Sequence, residues 1–103
     1  MSTKGKTVKY ALLENICAKI HQLLHYKGAS NIQFIVENGV PYFIEINPRF
    51  SGAGVLSYYS NFNSPLFTVL ESVQSPLFND IKKIPIKQGV FMTRYWSENF
   101  YEE

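Results

Sequence analysis

Asn38-Gly39 lies between two β-rich runs, residues 32–37 and 41–47. An Asn-Gly pair flanked by strand formers is the strongest short-range signal for a β-hairpin, because both residues accept the positive φ of a tight turn. Whatever else the chain does, it must accommodate this ribbon.

The second run ends in Glu45-Ile46-Asn47-Pro48-Arg49-Phe50-Ser51-Gly52. Side chains alternate along a strand, so Glu45, Asn47 and, if the extended path continues, Arg49 share one face while Ile46 takes the other. A carboxylate and an amide oxygen are hard ligands of the kind Mg²⁺ takes when it bridges nucleotide phosphates, and an Arg fork can clamp a phosphoryl oxygen. The chemistry this ribbon suggests is phosphoryl transfer. Taken alone, the same residues also read as a polar strand edge, with Asn47-Pro48 initiating a turn and Arg49 at the surface.

Register decides whether Gln33, on the first run, can join them. A plain two-residue turn sets Gln33 opposite Ile44, leaving Gln33 and Glu45 on different faces. Bringing Gln33 opposite Glu45 requires a three-residue loop or a β-bulge, a device common beside active sites. One of the two is expected.

At 103 residues the chain is one small domain, 1–103, or a piece of a larger one, and is short for a two-lobed nucleotide enzyme. An aromatic content of 16% argues for an ordered chain. With ten basic and eight acidic residues the net charge is only +2, and no nucleic-acid surface is expected. The lone Cys17 excludes an internal disulfide, and two His leave no Cys/His zinc spacing. No window reaches the roughly 20 apolar residues of a membrane span, and no leader pattern is evident, so a cytoplasmic protein is expected.

Around the hairpin, Leu12, Leu13, Ile16, Ile20, Leu23 and Leu24 form a helical stripe within residues 8–27, with Gly28 as the expected stop. Cys17, His21 and His25 read as packing or surface residues. Residues 1–7 read as a frayed end or a strand without a partner. Ser51-Gly52-Ala53-Gly54 is a small-residue bend, followed by a short helix or turn over 55–59. Ser64 is the expected N-cap, with Pro65 in the first helical position, of a helix to about Gln74 whose inner face is Leu66, Phe67, Val69, Leu70 and Val73. The repeat of Ser-Pro-Leu-Phe at 75–78 reads as coincident turn chemistry. Residues 89–96 alternate as a strand, with Val90, Met92, Arg94 and Trp96 on one side. The expected fold class is α+β, a helix packed on a small, mainly antiparallel sheet with a central hairpin.

Two segments, Gly28-Ala29-Ser30-Asn31-Ile32-Gln33-Phe34 and Tyr42-Phe43-Ile44-Glu45-Ile46-Asn47-Pro48-Arg49-Phe50-Ser51-Gly52, together resemble the ATP-grasp superfamily. The nearest likeness is to the carbamoyl-phosphate synthase large subunit and related small carboxylate ligases. It runs from about Gly5 to Pro65, including Gly5-Lys6-Thr7 and Asn63-Ser64-Pro65.

The resemblance implies that Gln33, Glu45 and Asn47 hold two Mg²⁺ ions (Mn²⁺ being an alternative) against the phosphates of ATP. Glu45 would bridge both metals, and Arg49 would act catalytically on the transferred phosphoryl or the acyl phosphate. It also implies a reaction in which a carboxylate attacks the γ-phosphate of ATP. The likeness covers only the C-terminal portion of an ATP-grasp fold. The phosphate-binding lysines, glycine-rich flap and adenine hinge have no counterpart, so the chain is expected to be a C-terminal fragment, inactive alone and completed by the missing N-terminal segments. Apolar surface left by such a missing partner favours homo-oligomers. The alternatives are a degenerate ATP-grasp module with a binding or assembly role, and an unrelated α+β interaction domain.

Overall fold

The hairpin forms as the Asn-Gly signal requires. In the computed structural model, which describes residues 3–103, β2 (Asn31–Glu37) pairs antiparallel with β3 (Val40–Asn47). Asn38 and Gly39 both have positive φ, 51° and 76°, the pattern of a type I′ turn whose twist matches that of the strands. From the turn the ladder runs regularly to Phe34 opposite Phe43 and then shifts, so that Gln33 faces Glu45 and Ile44 is left without a partner. The expected extra residue is therefore a bulge inside β3, and the turn keeps two residues. On the other face Phe34 and Phe43 meet edge to face at 5.9 Å.

The N-terminal segment has a partner after all. β1 (Lys4–Lys6) pairs antiparallel with β4 (Phe91–Thr93), with Gly5 opposite Met92. Thr7 extends this union: its N–H donates to the Val90 carbonyl at 2.9 Å and its hydroxyl to the Lys87 carbonyl at 2.7 Å. The strand expected over 89–96 is shorter than its alternating pattern. Val90, Met92 and Arg94 are half-buried as the pattern requires, whereas Trp96 is exposed. The last cross-strand bond among the described residues, Arg94 N–H to the Thr3 carbonyl, comes before it. The α+β class holds, with the strands in two antiparallel pairs instead of one sheet.

Helix α1 (Ala11–Leu24) buries the stripe only in part. Leu13, Ile16, Cys17 and Ile20 are half-buried, whereas Leu12, Leu23 and Leu24 are exposed, and α1 has no extensive packing against either strand pair. It ends before Gly28. His25 takes the left-handed conformation, φ 51°, and its N–H bonds the His21 carbonyl at 3.0 Å; His is one of the few non-glycine residues enriched there. A Tyr26 to Ser30 hydroxyl contact of 2.8 Å then braces the lead into β2.

After the hairpin come α2 (Gly54–Tyr59), α3 (Ser64–Ser72) and α4 (Leu77–Ile81). The N-cap of α3 is Asn63, not Ser64: its Oδ1 accepts from the Leu66 N–H at 3.1 Å, moving Pro65 one position into the helix. The inner face is also narrower than expected, with Phe67, Thr68 and Leu70 half-buried and Leu66, Val69 and Val73 exposed. Both Ser-Pro-Leu-Phe strings open helices, and their phenylalanines, Phe67 and Phe78, stack edge to face at 6.0 Å.

The core lies where α2 meets β1. Leu56, 9% exposed, is the one buried apolar residue among those described, and a Cβ on Gly5 would come 3.2 Å from its Cδ2. A radius of gyration of 16.3 Å exceeds the roughly 13 Å expected of a compact domain this long. Most apolar side chains therefore stay near the surface, including Tyr42 and Phe43 of the hairpin.

Candidate functional site

The bulge builds the site. Directly paired residues on antiparallel strands share a face, so the pairs Gln33–Glu45 and Asn31–Asn47 set four polar side chains on one side of the hairpin. Ile32 and Ile46, paired with each other, lie on the opposite side. Glu45 and Asn47 are also in contact: the Asn47 Nδ2 donates to Glu45 Oε1 at 3.0 Å. This bond fixes the side-chain amide, leaving its oxygen, Asn47 Oδ1, as the acceptor. Gln33 and Glu45 are exposed, and Asn47 is half-buried at the foot of the strand.

Arg49 stands apart. The extended path stops at Asn47, where the chain bends so that the Arg49 N–H reaches back to the Asn47 carbonyl at 2.8 Å. Its guanidinium donates through Nη1 to the neighbouring Phe50 carbonyl at 3.0 Å, and it is exposed. The expectation that Arg49 continues the Glu45–Asn47 row is thus corrected: Pro48 turns the chain before a third alternate position is reached. Three of the four expected residues share a face, and the fourth follows around the bend.

Sequence reasoning passed over two neighbours. Asn31 enters the polar face only through its pairing with Asn47, a relation visible once the bulge is placed. Arg94, placed by alternation alone on one side of the 89–96 run, is half-buried and donates from Nη2 to the Gly52 carbonyl at 2.8 Å. It ties β4 to the bend that follows Arg49. Within that bend the Ser51 hydroxyl accepts from the Ala53 N–H at 3.1 Å, and the Ser51 carbonyl accepts from the Gly54 N–H at 3.0 Å. No sequence signal links positions 52 and 94, because the contact depends on how the two strand pairs meet.

The donor set suits a hard divalent cation only in part. One carboxylate and two amide oxygens are the right atoms for Mg²⁺, but among the described residues no group of three or more Asp, Glu, His or Cys gathers to hold a metal by itself. Cys17 adds nothing here: burial in the α1 stripe raises its thiol pKa above the usual value, as for a packing residue.

Residues 2–95 match the family described as ATP-grasp in the biosynthetic pathway with Ter operon. The chain is an ATP-grasp protein. Members of this superfamily are generally ligases that bind ATP and Mg²⁺, and the match spans both strand pairs and the whole polar face. No curated protein and no solved structure matches the chain. Among the described residues, no helix of this ATP-grasp protein is long and apolar enough to cross a membrane.

Proposed function

We propose that the polar face of the hairpin is the metal-and-phosphate side of an ATP-dependent ligase site that activates a carboxylate as an acyl phosphate, as in carbamoyl-phosphate synthase and its relatives. The observation that carries this reading is the bulge-set register that brings Gln33, Glu45 and Asn47 to one face in a member of the ATP-grasp family.

In this reading Gln33, Glu45 and Asn47 would hold Mg²⁺, whose contribution would be charge neutralisation at the phosphates. With a single carboxylate among them, most of the coordination would have to come from the nucleotide's own phosphates, so metal without nucleotide would bind weakly. Asn47 orients Glu45 through their hydrogen bond, and Arg49 contributes a cation for the moving phosphoryl group or the acyl phosphate. The substrate carboxylate oxygen forms a bond to the γ-phosphorus as the bond to the β,γ-bridging oxygen breaks, and ADP departs with that electron pair. An amine or other nucleophile then displaces phosphate from the acyl group. Such a reaction depends on in-line placement and charge neutralisation, which polar side chains on a stiff ribbon supply without covalent participation.

The thin core and exposed apolar faces support the further proposal that the chain completes its nucleotide site only with other ATP-grasp segments, and has little activity alone. Calorimetric titration of Mg-ATP tests both parts, with the chain alone, with an upstream ATP-grasp segment supplied, and with Glu45→Ala in each case. Binding that needs the added segment and is lost with Glu45→Ala supports the ligase reading. Absence of binding in every combination points instead to a degenerate module with a binding or assembly role.

A further inference from the structure

At the foot of the hairpin, lined by Ile32 of the opposite face as well as by a residue of the polar face, lies a cavity of about 520 Å³, within the roughly 300–1,000 Å³ of small-molecule sites. Its position and its lining both bear on the proposed reaction. Asn31, the strand partner of Asn47, forms part of its wall, and so does Phe50, which immediately follows Arg49. The cavity therefore begins where the candidate phosphate-handling residues end. Phe50, Val55, Tyr58 and Phe62 give it an apolar, partly aromatic surface, and four serines are among its neutral polar residues. No Asp, Glu, Lys, Arg or His is among its lining residues.

That lining selects by charge. The cleft is open to water, with Val55 and Tyr58 more than half exposed, so a charged group gains nothing there for want of a counter-ion, whereas a ring or branched hydrocarbon gains from contact with the apolar wall. We infer that this cavity receives the body of the carboxylate substrate, and that the substrate is a carboxylic acid with a neutral, largely apolar or aromatic body. With its body there, the acid's carboxylate lies at the Asn31 and Phe50 end, toward the polar face. Small dianionic acids and acids with a charged amino group are disfavoured. This assignment rests on the ligase reading for the role of the carboxylate, but the cavity can be tested without ATP.

The experiment is saturation-transfer NMR on the whole chain without nucleotide or metal, using 3-phenylpropionate as the probe and succinate as the comparison. Val55→Trp places a large side chain at the cavity wall. Val73→Trp is the control, because Val73 is equally exposed (67% against 66%) and lies outside the cavity. Circular dichroism establishes that both variants keep the wild-type fold. Phenylpropionate ring protons should receive saturation from the wild type and from Val73→Trp, with at least fivefold weaker binding to Val55→Trp and no transfer to succinate. Equal signals from the two acids, equal behaviour of the two tryptophan variants, or no binding of phenylpropionate would each overturn the assignment. None of these outcomes depends on Glu45, so failure of the cavity and failure of the Mg-ATP reading are distinguishable.

Discussion

Gln33 stands directly across the hairpin from Glu45, and the feature that puts it there is Ile44, the one residue of β3 without a partner on β2. Directly opposed side chains couple by roughly 0.2–1 kcal/mol, attractive for opposite charges and repulsive for like ones. Gln33→Lys should therefore raise the urea midpoint and Gln33→Glu lower it, with both effects shrinking at high salt and vanishing in a Glu45→Gln background. Were the ladder regular, Gln33 would face away from Glu45 and the double-mutant cycle would show no coupling.

Much of this ribbon was legible in the sequence, and the reasons are local. Asn38-Gly39 specified the turn, and the clash between a plain turn and a shared Gln33–Glu45 face pointed to an extra residue, found at Ile44. Arg49 was misplaced because alternation holds only while the chain stays extended, and Pro48 ends that path. The partner of β1 and the Arg94 tie to Gly52 were hidden for another reason: both join positions far apart in the chain, and no periodicity encodes such pairings. The early end of α1 at His25 likewise escaped a rule that favours glycine in the left-handed conformation.

Asn63, not Ser64, caps α3, and the two are separable by substitution. Loss of an N-cap side chain costs about 1 kcal/mol, so Asn63→Ala should lower stability by that amount in chemical denaturation. Ser64→Ala should change it by no more than a few tenths. The opposite order would restore Ser64 as the cap.

Ser60 is fully buried at the end of α2, and its hydroxyl has no hydrogen-bond partner. An unsatisfied buried polar group costs roughly 1–3 kcal/mol, so Ser60→Ala should stabilise the chain, by about 1 kcal/mol after allowing for the lost packing of one oxygen. A lower thermal midpoint for Ser60→Ala would mean that the hydroxyl has a partner.

The exposed apolar side chains of the hairpin and of α1, among them Ile35, Tyr42, Phe43, Leu23 and Leu24, favour self-association. Multi-angle light scattering at increasing concentration should find a dimer or larger species, and addition of an upstream ATP-grasp segment should compete with it. A monodisperse monomer throughout the range would contradict this.

The proposed role of the polar face is tested most directly by calorimetric titration of Mg-ATP into the chain combined with an upstream ATP-grasp segment, wild type against Glu45→Ala. We expect saturable binding by the wild-type combination and at least a tenfold loss with Glu45→Ala, while the same upstream segment alone binds poorly. Equal binding by wild type and Glu45→Ala would contradict the assignment of Glu45, and with it the reading of this hairpin as the metal-and-phosphate side of the site.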